Sequence, residues 1–84
     1  MTLTAELSLY PLQENYISII QAFIEDLRSE DLGLTVVTNA MSTQICGDWD
    51  IVMSRISKVL HSSYEAHGRQ VLVCKLIPGQ LDIN

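Results

Sequence analysis

Eighty-four residues with ten acidic and five basic side chains carry a formal charge of −5, and 48% of them are hydrophobic. That makes one folded domain spanning residues 1–84, too apolar for a disordered chain. The basic residues Arg28, Arg55, Lys58, Arg69 and Lys75 are scattered and cannot neutralise a row of phosphates, which argues against nucleic-acid binding.

The opening "MTLTAELSLY" has no basic segment or cleavage pattern and is interrupted by Glu6, so no secretory signal is expected. The uncharged run from Leu32 to Gly47 is full of Thr, Asn, Ser and Gln, too short and too polar to cross a bilayer. No membrane association is expected, and the cytoplasm is the expected compartment. A chain of this size buries only about two-thirds or less of its unfolded surface, so a second subunit is expected to add stability.

Residues 2 to 10 alternate, with Leu3, Ala5, Leu7 and Leu9 on one side and Thr4, Glu6, Ser8 and Tyr10 on the other. This is the period of a half-buried strand, ended by Pro11. From Tyr16 to Leu27 the residues Tyr16, Ile17, Ile20, Phe23, Ile24 and Leu27 follow helical spacing, with Asn15 as N-cap and Gly33 as the helix exit. "LTVVTN" (34–39) and "STQIC" (42–46) read as two strands joined through Ala40-Met41, a hairpin.

Gly47-Asp48 then opens a second helix capped by Asp48, with Trp49, Val52, Met53, Ile56, Val59, Leu60 and Ser63 facing inward and His67-Gly68 closing it. "RQVLVCKLIPG" is a last strand and "QLDIN" a tail with little to fix it.

The order β-α-β-β-α-β predicts an α+β, ferredoxin-like sandwich with antiparallel sheet order 4-1-3-2 and both helices on one face. The other face is then bare. The last strand carries Val71, Val73 and Ile77 on one side and Leu72, Cys74 and Leu76 on the other, although it lies at an edge, so a partner chain is expected to cover it. Cys46 and Cys74 fall on strands separated by the first, roughly 9 to 10 Å apart. That is beyond disulfide reach, so both are expected as free, small buried hydrophobes.

Catalytic patterns are weak. His61 and His67 lie about 240° apart on one helix and cannot share a metal, while His61 and Glu65 at i, i+4 suit a solvated pair. There is no Cys-x-x-Cys, phosphate loop or nucleophile elbow. Asp48 and Asp50 fill the second helix's first turn, where they compete for the donors a phosphate needs and read as capping residues. Trp49 suits either a core anchor or a stacking platform. No metal or cofactor site is expected.

The polar strand residues remain. Glu6, Ser8 and Tyr10 share a face of the first strand. Across from it, Thr43 and Ile45 lie on one side of the third strand, with Ser42, Gln44 and Cys46 on the other. Either these groups form an ordinary solvated hairpin or they are aimed at something. Buried without partners they cost about 1 to 3 kcal/mol each.

"TAELSLYPL" (4–12) and "TNAMSTQICGDWDIVM" (38–53) resemble the opening strand, with its Tyr-Pro-Leu end, and the Asn-x-Met-Ser-Thr hairpin of the thiamine-binding, YkoF-like family. A weaker resemblance extends to Pro78-Gly79. It implies a non-enzymatic binder of thiamine or its hydroxymethylpyrimidine part, assembled as a homodimer or homotetramer. The family's chemistry suits Glu6, Ser8, Tyr10, Asn39, Met41, Ser42 and Thr43 as ligand-binding residues. An aminopyrimidine needs acceptors, hydroxyls and a ring to stack on.

The rival is a homo-oligomerisation module without a ligand, its open face used only for packing. An acylphosphatase-type enzyme would need a phosphate loop with an Arg after the first strand, which "PLQEN" lacks.

Overall fold

The computed structural model describes residues 1–83. Its elements run β1 (Thr2–Pro11), α1 (Tyr16–Leu27), β2 (Thr35–Thr38), β3 (Thr43–Asp48), α2 (Trp49–His67) and β4 (Gln70–Pro78). The four strands form one antiparallel sheet in the order β2-β3-β1-β4, the ferredoxin-like α+β arrangement expected from the sequence. Both helices pack on the face presented by Leu3, Ala5, Leu7, Leu9 and Ile45, against which Ile19, Phe23 and Leu27 of α1 and Val52, Ile56 and Val59 of α2 close the core. Each large apolar side chain buried there contributes about 1.5 to 3 kcal/mol.

The register fixes the faces. Glu6 sits opposite Gln44 and Lys75, Thr4 opposite Cys46 and Ile77, and Ser8 and Tyr10 opposite Val73 and Val71. Residues directly paired across strands share a face, so these groups line the side away from the helices. Leu72, Cys74 and Leu76 lie on the helix side, opposite Leu9, Leu7 and Ala5.

Several local expectations are corrected. In α1 the inward positions are Ile19, Phe23 and Leu27, while Tyr16 and Ile17 are exposed, because the i, i+4, i+8 stripe that meets the sheet leaves positions 16 and 17 outside it. Asn15 makes no side-chain cap; its carbonyl instead accepts from Ile19 N and Ser18 Oγ. The helix stops at Leu27 with Arg28 as C-cap. Gly33, at φ +73°, serves the turn into β2.

β3 runs on through Gly47 and Asp48. Gly47 lies under Leu34, and a Cβ there would collide with that side chain. Asp48 does cap α2, accepting from Ile51 N, and Gly68 at φ +87° closes it. Met53, expected inward, is exposed; Trp49 and Leu60 are half-buried against the core.

Arg55, on the inward side of α2, is 4% exposed. Its guanidinium donates to the Asp26 carbonyl and to Ser29 Oγ, and lies 3.5 Å from Asp26 Oδ1 and 3.7 Å from Glu30 Oε2. It therefore ties the C-terminal end of α1, where the helix dipole is negative, to α2.

The face away from the helices is not wholly bare, and the tail is not loose. Gly79 N donates to the Thr2 carbonyl. The Thr4 hydroxyl donates to the Gly79 carbonyl at 3.0 Å, accepts from Leu81 N at 3.2 Å and lies 3.2 Å from Cys46 Sγ. Residues 79–83 thus fold over the Thr4–Cys46 end, which explains why Thr4 is only 2% exposed on an otherwise open face. Both thiols are free, as the strand order requires, but Cys74 is exposed because no helix reaches over the β4 edge. Val71, Val73, Leu76 and Ile77 are exposed as well.

Candidate functional site

β1 is longer than its neighbour on one side. Its pairing with β3 ends at Leu7–Thr43, whereas pairing with β4 continues to Pro11–Gln70. Beyond Leu7 the chain therefore overhangs a gap, closed at the rear by the first turns of α1 and at the side by the β2–β3 turn. The gap is a cleft of about 350 Å³, within the range of small-molecule sites. Tyr10, Tyr16, Phe23, Ile20 and Ile24 supply its apolar walls and Ser8, Thr38, Asn39, Ser42 and Thr43 its polar groups. Among the described residues, no charged side chain lines it.

The turn is built by its own side chains. Asn39 N donates to the Ser42 carbonyl, and Asn39 Oδ1 accepts from Met41 N at 2.8 Å and Ser42 N at 3.1 Å. This is an Asx turn, which suits an Ala40-Met41 link in which no residue other than glycine has a positive φ among the described residues. Met41, at the tip, is 86% exposed. One residue on, the Thr43 and Thr38 hydroxyls bond across the hairpin at 3.0 Å on the helix side.

On the other side Ser42 Oγ donates to Glu6 Oε2 at 2.9 Å and accepts from Gln44 Nε2 at 3.2 Å. Lys75 Nζ lies 3.5 Å from Glu6 Oε1. The Ser42 hydroxyl, and after it the Lys75 charge, hold the Glu6 carboxyl below its ordinary value.

Of the residues singled out in the sequence, Ser8, Tyr10, Asn39, Met41, Ser42 and Thr43 line this one cleft. Glu6 does not; it stands behind Ser42 and fixes the turn to β1. The Asn39 carbonyl oxygen, the Ser42 hydroxyl and the Thr43 hydroxyl are already engaged in holding the turn. What the sequence reading missed is the wall from α1. Tyr16, Ile20, Phe23 and Ile24 lie at helical spacing, and the broad apolar stripe formed by Tyr16, Ile17, Ile20, Phe23, Ile24 and Leu27 includes side chains left outside the buried core of Ile19, Phe23 and Leu27. That breadth is the signal in the sequence for a second apolar surface on α1. Among the described residues, no group of three or more His, Cys, Asp or Glu side chains is placed to hold a metal, and no helix is long and apolar enough to cross a membrane.

Solved structures share the fold. A protein from Streptococcus pneumoniae superposes with a TM-score of 0.85 at 20% identity, covering 96% of this chain and 90% of its own. A Thermotoga maritima protein proposed for thiamine biosynthesis or salvage gives 0.82 at 20% identity over 99% and 91%. A hypothetical protein from Methanocaldococcus jannascii gives 0.78 at 26% identity over 99% and 86%. No curated protein matches the sequence. The profile of the thiamine-binding protein family matches residues 5–76, nearly the whole ordered sandwich, and the chain belongs to that family.

Proposed function

We propose that this protein binds thiamine, or a hydroxymethylpyrimidine of the same kind, without catalysing a reaction, and that it does so as a homodimer or homotetramer in the cytoplasm. The observation that carries the reading is the cleft at the overhang of β1, aromatic and aliphatic in its walls, hydroxylic and amidic at its rim, and free of charged side chains. A flat heteroaromatic ring fits such a lining, stacking on Tyr10 or Tyr16 and lying against Met41. A thiazolium cation is favoured by aromatic faces and by a net charge of −5. The family match supports the same ligand.

Assembly is supported by β4, whose outer edge is unpaired and whose exposed Val71 and Val73 stand opposite Tyr10 and Ser8. The tail already occupies the Thr4–Cys46 end, so a partner would use the Tyr10–Val73 end. Two free thiols suit a reducing compartment.

Calorimetric titration with thiamine and with hydroxymethylpyrimidine, alongside a mass measurement in solution, tests the proposal. Saturable heat from an oligomer supports it. An oligomer that gives no heat and no thermal shift at millimolar ligand instead supports the packing module without a ligand.

A further inference from the structure

The overhang of β1 leaves a main-chain group without a partner inside the cleft. Along a strand, successive residues point their N–H and C=O alternately to the two neighbours. In β1 the even positions serve β4, as shown by Gly79 N donating to the Thr2 carbonyl and Leu12 N to the Arg69 carbonyl. The odd positions serve β3, as shown by Trp49 N donating to the Met1 carbonyl. Leu3, Ala5 and Leu7 meet Gly47, Ile45 and Thr43 in this way.

Leu9 is the next odd residue, and the register has no strand opposite it. The position facing it in sequence is Met41, whose N–H is taken by Asn39 Oδ1. No turn or loop bond among the described residues involves Leu9. Yet Leu9 is only 9% exposed and lines the cleft. A buried peptide donor and acceptor left unmade are costly, and in nearly all proteins such groups find a partner.

We propose that the Leu9 N–H and C=O are the recognition edge of the cleft, and that they bind a planar ring presenting a ring-nitrogen acceptor next to an exocyclic amine donor. The two groups of one extended residue point the same way, so they meet such an amidine-like edge as an opposite strand would meet them. The Thr38, Ser42 and Thr43 hydroxyls and the Asn39 side-chain oxygen are spent on the turn, whereas the Leu9 edge of β1 is not. A further strand is a poor occupant, because the next odd residue, Pro11, has no N–H to continue a ladder. The aminopyrimidine of thiamine carries the required edge, and in this respect the inference rests on the proposed function.

Amide hydrogen exchange followed by NMR on the full chain, with thiamine as the probe, provides the test. Without ligand, the Leu9 amide exchanges at least about tenfold faster than the ladder amides of Ala5 and Leu7; with saturating thiamine it slows about tenfold or more while theirs hold. An analogue whose ring amine is replaced by a carbonyl oxygen reverses the donor and acceptor and binds at least about tenfold more weakly.

Two outcomes overturn the inference alone: a Leu9 amide already as protected as Leu7 in the ligand-free protein, or an unchanged Leu9 amide while Tyr10 and Met41 resonances shift on binding. Absence of any shift in the cleft at millimolar thiamine removes the proposed function and the inference together.

Discussion

The two halves of β1 are one strand in two environments. From Leu3 to Leu7 it is paired on both sides, its helix face is sealed by the core, and the Thr4 end of its other face is strapped by residues 79–83. From Ser8 to Pro11 it keeps β4 but loses β3, and a cleft takes the place of the missing strand. Nothing in the alternation of the strand itself marks the change. The start of β3 at Thr43 decides it, because a turn four residues long cannot also fill the space beside Leu9. The first half therefore carries stability and the second is free to carry binding.

Substitutions should separate the halves. Leu3→Ala, at a fully buried site, should cost about 3 kcal/mol or more in urea unfolding. Tyr10→Ala, at a site 56% exposed, should change stability by about 0.5 kcal/mol or less while weakening thiamine binding about tenfold or more by calorimetry. Equal stability losses would show that the overhang is structural after all.

Arg55→Ala tests the closed end from the helix side. It removes a buried guanidinium and its bonds to the Asp26 carbonyl and Ser29 hydroxyl, which keep only their bonds to each other, with an expected cost of about 2 kcal/mol in the same assay. Ligand affinity should be unaltered, since the cleft is at the other end of α1.

Glu6 stands at the boundary, and its effect should depend on pH. Its carboxyl is held below the ordinary value of 4.5, first by the Ser42 hydroxyl and then by Lys75. A lowered carboxylate pKa adds stability above the unfolded value that is lost as pH falls through the folded one. Glu6→Gln should therefore be less stable than the parent at pH 7, and thermal melts of the two should converge on acidification below about 4.5. A gap independent of pH would mean that the carboxylate charge is not what holds Ser42.

The smallest effect is expected at the strap. Thr4→Val keeps the shape but loses the hydroxyl bonded to Gly79 and Leu81, at about 1 kcal/mol. Released, the tail should expose Cys46 to a thiol reagent, read in a Cys74→Ser background because Cys74 is exposed in the parent. Unchanged Cys46 labelling would show that the tail is held by its apolar contacts instead.

Much of this was legible in the residues. The alternation of Leu3, Ala5, Leu7 and Leu9, the cap Asp48 and the glycine at 68 each express a local rule, and together they gave the element order and sheet plan. Six of the seven residues singled out for binding lie along one cleft because strand parity and a four-residue turn leave them few other places. Reading failed where the partner of a residue came from far along the chain. Tyr16 and Ile17 follow helical spacing but find no strand beneath them, and Met53 likewise falls outside the core. Arg55 looks like any surface cation until the end of α1 closes over it, and "QLDIN" looks loose until Thr4 meets it.

Sequence alone determined which residues alternate, which recur at helical spacing and where the helices and turns stop, since these follow from interactions within a few residues. Only the tertiary structure decided that β1 outruns β3, that Glu6 secures Ser42 without reaching the cleft, and that the tail returns over Thr4. Those depend on relative strand lengths and on contacts between residues up to 77 positions apart, which no local pattern encodes.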